Sequence, residues 1–326
     1  MKTFRTTMPM HRASFGIAHT DQLLLVGSCF TEHIGERLEA GKFQALTNPN
    51  GIVYNPVSIA RSLIALQNAV FDPENAVFEY QGLWHSWKHH GRFSHPDRET
   101  ALQNFATAHA HAAVFLKKTN RLLLTLGTAD VFTLRETGQV VANNHKVPAD
   151  RFEQRRLSVA ETTDVLEQAL SSLHTANPAL RVVLTVSPVR HLRAGLVDNQ
   201  RSKAVLVLAC AELCQRLEFV HYFPAYELLL DDLRDYRFYA ADMLHPSGAA
   251  VDYIWEYFTE TFFLPQTQNL LERIGKITTA ARHRPFHPGS AEHRAFTAQQ
   301  IEHVRQLCAE HPRLDFSEEI TVFSEG

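Results

Sequence analysis

Four short apolar runs, each followed by a helical pattern, restrict the possible folds of this chain more than any other feature. They are Leu23-Leu24-Leu25-Val26, Leu122-Leu123-Leu124-Thr125-Leu126, Arg181 to Val186 and Glu218 to Phe223. Consecutive apolar residues suit a strand buried on both faces, as strands of a parallel sheet are. The segments between them carry apolar residues at three- and four-residue spacing, the period of an amphipathic helix. Such alternation predicts an α/β chain, a mostly parallel sheet covered by helices on both faces. Sites in these sheets gather where strands end at their carboxyl edge, so the residues after each run matter most.

After the first run comes Gly27-Ser28-Cys29-Phe30, then a helix to about Ala40 with Phe30, Ile34 and Leu38 on one stripe. Gly27 permits the tight turn and Ser28 is a good N-cap. A serine so placed faces free helix N–H groups and the positive end of the dipole, which can stabilise a developing oxyanion; it can equally do no more than cap. Further on, Asn48-Pro49-Asn50-Gly51 is turn chemistry. Asn55-Pro56 reads as N-cap and first helical residue, ahead of Ile59, Leu63 and Leu66. Phe71 to Ser94 is rich in aromatics and histidine without a period, and Asp97 to Lys118 reads as a helix whose stripe His109 interrupts. Val131 to Arg135 and Gln139 to Ala142 form a predicted hairpin around Thr137-Gly138. Ser158-Val159-Ala160-Glu161 is a capping box, and Asn177-Pro178 stops its helix. Helices are predicted over Asn199 to Leu217 and Tyr226 to Arg234, and a loop over Asp235 to Pro246. The last core helix carries Val251, Ile254, Trp255, Phe258 and Phe262. Helical patterns at Gln266 to Ala281 and Thr297 to Cys308 flank a basic loop, Arg282 to Gly289. The expected organisation is an α/β domain over 1–262 and a helical appendage over 263–326, with Met1 to Thr20 an irregular lead-in along the surface.

Several function classes are disfavoured. Net charge is -3 and there is no Lys/Arg-rich run, so no nucleic-acid or anionic-membrane footprint is expected. Residues 1–20 lack an apolar core of signal-peptide length, and no segment nears the ~20 apolar residues of a membrane span. Cys29, Cys210, Cys214 and Cys308 match no disulfide framework, and Cys210 and Cys214 read as packed thiols, which points to a reducing, cytoplasmic setting.

Chemistry enters with Asp242-Met243-Leu244-His245, just before the last core helix. An Asp three residues before a His, in a loop, can accept the imidazole N–H, fix its tautomer and leave the other nitrogen as general base. A serine hydroxyl needs such a base. Ser28, Asp242 and His245 are thus a candidate triad; a capping Asp with a solvent-facing His is the plainer alternative.

The blocks Gly27-Ser28-Cys29-Phe30 and Asp242-Met243-Leu244-His245 resemble the GSCFA-domain family, grouped with the SGNH/GDSL hydrolases. Tyr54-Asn55-Pro56, Leu126-Gly127-Thr128-Ala129, Ser187-Pro188-Val189-Arg190 and Asp235-Tyr236-Arg237-Phe238-Tyr239 extend the resemblance collinearly across Phe4 to Phe262. It implies a flavodoxin-like three-layer α/β/α fold and an esterase, lipase or acyltransferase activity that uses no cofactor. It also implies roles: Ser28 as nucleophile and oxyanion donor, Gly51 as a second N–H donor, Asp242 and His245 as orienter and base. The third block of the superfamily usually reads G-x-N-D, its Asn amide the third donor, but here it reads Gly127-Thr128-Ala129-Asp130. Asn143 or the Thr128 hydroxyl is the expected substitute.

Other groups keep two readings. Arg190 either clamps a carboxylate or phosphate bidentately or forms a structural ion pair. His145 and Lys146 line the same mouth or decorate a surface hairpin. His85, beside Trp84, suits an acyl or sugar pocket. A rival account draws on His85, His89, His90 and His95 as zinc ligands of a metal-dependent hydrolase, though Gly91 interrupts the pattern. A third treats the chain as an inert binding module, on the strength of Ala129. The expected substrate is a small-molecule or carbohydrate ester.

Overall fold

The computed structural model describes residues 5–71 and 77–325; the first four residues of the lead-in and part of the Phe71 to Ser94 stretch lie outside the described residues. The first apolar run forms β1 (Gln22–Gly27), followed by α1 (Cys29–Ala40). Strand β2 (Gln44–Thr47) pairs parallel with β1. Asn55 caps α2 (Pro56–Gln67), its side chain accepting the Ser58 N–H. Strands β3 (Phe78–Tyr80) and β4 (Leu83–His85) form a small antiparallel pair ahead of α3 (Arg98–Leu116). The second run gives β5 (Arg121–Leu126). A three-stranded antiparallel sheet follows, with β6 (Asp130–Leu134) between β7 (Val140–Val141) and β8 (Phe152–Arg156). The capping box opens α4 (Val159–Ala176), which leads to β9 (Arg181–Val186) and α5 (Leu196–Arg216). Strand β10 (Val220–Phe223) closes the sheet; a short α6 (Ala225–Glu227) runs into one π-helical turn, Leu228–Leu233. Helix α7 (Gly248–Phe262) ends the α/β region, and α8 (Pro265–Arg282), α9 (Ala291–Glu310) and α10 (Ser317–Glu325) complete the chain.

The main sheet has the order β2-β1-β5-β9-β10, every pair parallel. Numbered by appearance within the sheet this is 2-1-3-4-5, the flavodoxin-like order, whose switch point lies between its first and third strands. Here that point is the gap between β1 and β5.

Side chains alternate across a strand, so one apolar run serves two cores. Leu24, Val26, Leu122, Leu124, Val182 and Leu184 pack with Leu63, Leu166, Leu170, Leu206 and Leu213 of α2, α4 and α5. Leu23, Leu25, Leu123 and Val183 face the other way, onto Phe30, Ile34 and Leu38 of α1 and Ile254, Phe258 and Phe262 of α7. The result is the expected three-layer α/β/α fold. Helices α8 to α10 share a separate cluster, with Leu270, Ile274, Val304, Leu307 and Phe316 at its centre.

Several elements depart from the sequence expectation. Strand β2 is four half-buried residues at the sheet edge, and four of the five residues of β8 are exposed or half-buried, so neither carries an apolar run. The lead-in is not merely superficial: Ile17 is fully buried and its N–H donates to Phe262 O at 2.7 Å. His109 does not break the α3 stripe but is buried in it. Helix α9 begins six residues earlier than its apolar period, on an exposed first turn capped by Ser290. All four cysteines are free, Cys210 fully buried. Among the described residues no helix is long and apolar enough to cross a membrane.

Candidate active site

The β1–α1 turn forms because nothing but glycine fits it. A Cβ on Gly27 would lie 2.3 Å from Thr125 O on the neighbouring β5. The chain then bends into Ser28, which donates its N–H to Thr125 O at 3.1 Å and caps α1, its Oγ accepting the Phe30 N–H at 3.3 Å. Ser28 therefore sits at the switch point, at the carboxyl end of β1, and is only 1% exposed.

The segment Asn50 to Asn55 crosses the same edge: Val53 N–H donates to Gly27 O at 3.0 Å and Gly127 N–H to Tyr54 O at 2.8 Å. The Asp242 loop arrives from the far side, where Arg190 N–H, just beyond β9, donates to Leu244 O at 3.1 Å. Within that loop His245 Nδ1 donates to Asp242 Oδ2 at 2.6 Å, while Asp242 Oδ1 accepts the N–H groups of Leu244 (2.9 Å) and His245 (3.0 Å). Those bonds, led by the His245 N–H, hold the Asp242 carboxyl down at about 2. The two side chains are half open to solvent, 46% and 41% exposed. The Asp242 loop is thus tied to the segment beyond the carboxyl end of β9, and Ser28 stands at the carboxyl end of β1. Among the described residues no hydrogen bond yet joins Ser28 Oγ to the His245 ring.

Two of the expected oxyanion donors, the Gly51 N–H and the Thr128 hydroxyl, are otherwise engaged. Gly51, at φ +76°, gives its N–H to Asn48 O at 2.7 Å, and a Cβ there would lie 2.2 Å from His90 Cβ. The Thr128 hydroxyl is locked into a buried cluster with Ser202 Oγ (2.8 Å) and the Asp130 N–H (3.0 Å). Asn143 Oδ1 accepts the His145 N–H at 2.9 Å, a bond that leaves its amide N–H groups uncommitted. Arg190 is occupied in holding the loop: its guanidinium lies 4.0 Å over the Tyr239 ring and 5.1 Å over Tyr236.

His85 and His145 lie 4.4 Å apart in an aromatic cluster with Phe78 and Trp87, and none of their contacts among the described residues is with Ser28, Asp242 or His245. The zinc reading is corrected here. His85 pairs with Ser94 Oγ and Tyr80 O, and His89 with Ser86 Oγ; His90 and His95 accept the backbone N–H groups of Arg92 and Asp97. Each ring is turned to its own local partner. Among the described residues no group of three or more His, Cys, Asp or Glu is placed to hold a metal.

Two residues of this rim were not singled out from the sequence. His191 lies against Tyr54, ring centres 5.3 Å apart, and its Nε2 would be 3.2 Å from a Cβ on Gly127. That Nε2 is buried without a hydrogen-bond partner among the described residues. Burial, and then the charges of Lys203 and His245, push the ring down to about 4, so it is neutral at pH 7. Lys203 is fully buried and ties two strand ends together, donating to Gly127 O and Ser187 O at 2.7 Å each. Burial lowers its ammonium to about 7. The available signal was a lysine in helical register with Leu206, Cys210 and Leu213, a charge on a buried stripe.

Comparison with known proteins follows this geometry. A family model described as GSCFA family matches residues 22–258, and one described as GSCFA domain protein, C-terminal domain, matches residues 274–326. Among solved structures, a carbohydrate esterase family 3 from Talaromyces cellulolyticus is similar at 11% identity and a TM-score of 0.36, over 78% of this chain and 99% of that one. No curated protein matches the chain.

Proposed function

The chain belongs to the GSCFA family, and from that premise we propose that it is a serine-dependent acyl hydrolase or acyltransferase acting on ester bonds. Ser28 is the nucleophile, His245 the general base and Asp242 its orienter. The observation that supports the reading is the 2.6 Å Asp242–His245 bond, in a loop tied to Arg190 beyond the carboxyl end of β9. In the reaction the Ser28 hydroxyl gives its proton to His245 Nε2 as Oγ bonds to the ester carbonyl carbon. The imidazolium, stabilised by Asp242, then returns that proton to the departing alkoxide. Water or another hydroxyl repeats the sequence and releases the acyl group.

Two adjustments precede attack. The Ser28 hydroxyl leaves its 3.3 Å capping bond, a long bond and a weak one. Catalytic hydrogen bonds that are unformed in an empty site tighten when substrate is bound. For the oxyanion we assign the Cys29 N–H, at the first helical position of α1, and His191 Nε2–H, whose ring stands beside Gly127 where the superfamily's third-block amide is missing. The boundary at 262/263 is proposed with this reading, since α8 to α10 have their own apolar cluster.

Ser28→Ala should abolish hydrolysis of p-nitrophenyl acetate, by roughly 10³-fold or more, with the circular dichroism spectrum unchanged. Equal turnover by wild type and variant would sink the proposal. A fluorophosphonate probe separates it from the inert-module reading, which the burial of Ser28 favours: labelling at Ser28 that requires His245 excludes an inert site.

A further inference from the structure

We propose that Asn199 and Lys203, on one buried face of α5, are positioning residues that hold the His191 ring against the Gly127 turn. The inference rests on the assignment of His191 as an oxyanion donor to Ser28, and it names what places that donor.

The first turns of α5 carry a polar face where a core helix is ordinarily apolar. Asn199, Ser202 and Lys203 follow one another at helical spacing, which puts them on one side of the helix, and all three are buried. Each is engaged with the rim. Asn199 Oδ1 accepts the His191 N–H at 2.9 Å. Ser202 Oγ accepts the Ala129 N–H at 2.8 Å and pairs with the Thr128 hydroxyl at 2.8 Å. Lys203 Nζ donates to Gly127 O, beyond β5, and to Ser187 O, beyond β9, at 2.7 Å each. One helix face thus grips both the Gly127-Thr128-Ala129 turn and the segment Ser187 to His191. The His191 ring stands where the two meet, its Nε2 against Gly127.

That segment needs such a hold. Leu192 to Gly195, which follow His191, are half-buried or exposed, and Gly195 opens α5 without a side-chain cap. The bond to Asn199 closes this loop onto the helix and fixes the His191 backbone; Lys203 fixes the wall on which the ring leans. Stability by itself does not call for the lysine. Its ammonium is enclosed with no ion pair among the described residues, and an uncompensated buried charge is destabilising. The charge is instead felt at the site, by the His191 ring and by Cys29 beside Ser28.

Steady-state turnover of p-nitrophenyl acetate by the full chain tests this, with Asn199→Ala and Lys203→Met each measured alone and combined with His191→Ala. Alone, each should lower kcat by about 10–100-fold, the effect of a displaced group, with KM little changed. Combined with His191→Ala, each should change kcat by less than about twofold, because the ring they place is gone. A loss of the same factor in both backgrounds is a structural effect and overturns the proposal, as does an unchanged kcat in either variant alone. Where circular dichroism shows Lys203→Met unfolded, Lys203→Gln, which keeps amide donors, replaces it in the cycle. Ser28→Ala separates two levels of failure. If it turns over the ester as fast as wild type, the serine reading fails and this inference with it; if it is inactive while the cycles come out additive, only the role of Asn199 and Lys203 falls.

Discussion

Asp242 accepts three hydrogen bonds, and together they fix how its carboxylate is turned. Both carboxylate oxygens are committed, one to two backbone N–H groups and one to His245 Nδ1. The ring therefore presents Nε2 outward in one tautomer. Asp242→Asn keeps the shape but reverses the polarity of that bond, and kcat for p-nitrophenyl acetate should fall by about 10⁴-fold. A loss below tenfold would show that His245 is not oriented by this carboxylate. At His191 the expectation differs. A neutral imidazole that only donates to the oxyanion contributes like any single donor, so His191→Ala should lower kcat by about 10²–10³-fold with KM little changed. Unchanged kcat would remove it from the site. The D-x-x-H pair could be found by eye because both partners lie within four residues. His191 could not, because its significance is its position beside Gly127, a residue sixty-four positions earlier.

At the scale of elements, the β1–α1 turn is the least tolerant feature of the fold. The atom nearest a Cβ on Gly27 is a backbone oxygen of β5, which cannot move without parting the two central strands. Gly27→Ala should cost about 3 kcal/mol, read from urea unfolding, even with Ser28 untouched. A variant as stable as wild type would mean the strands separate more freely than their pairing indicates. The elements that were legible beforehand carry a local signature: the capping box of α4, the Asn-Pro start of α2, the hairpin turn at Gly138 with φ +68°. Those that were not, β2, β3, β4, β8 and α10, are short or largely exposed. They are ordered by what they pair with or pack on, not by a period of their own.

For the whole molecule, three histidines held neutral by burial couple stability to pH. His89 is pushed down to about 3, and His145 and His191 to about 4, from an ordinary 6.5. The unfolded chain binds protons at these rings below pH 6.5 while the folded chain does not, so acid favours unfolding. These rings stop contributing above about pH 7, where the depressed Lys203 ammonium makes stability rise further with pH, and they withdraw stability as pH drops from 6.5 toward 4, by on the order of a few kcal/mol in all. Asp242 adds to this only lower, as pH falls from its ordinary 3.8 toward 2. Urea midpoints at pH 7.5, 6 and 4.5 check the expectation; a midpoint independent of pH across that window would contradict it.

The α/β class, the parallel strands and the serine and Asp-x-x-His loops were all readable from the chain, because burial on both faces demands continuous apolar runs and because caps and dyads act over a few residues. The 2-1-3-4-5 strand order, the enclosure of Ser28 and the lysine beneath two strand ends were not. Each depends on which distant segments become neighbours, as β1 and β5 do across nearly a hundred residues, and pairing of that kind leaves no periodic trace in either partner.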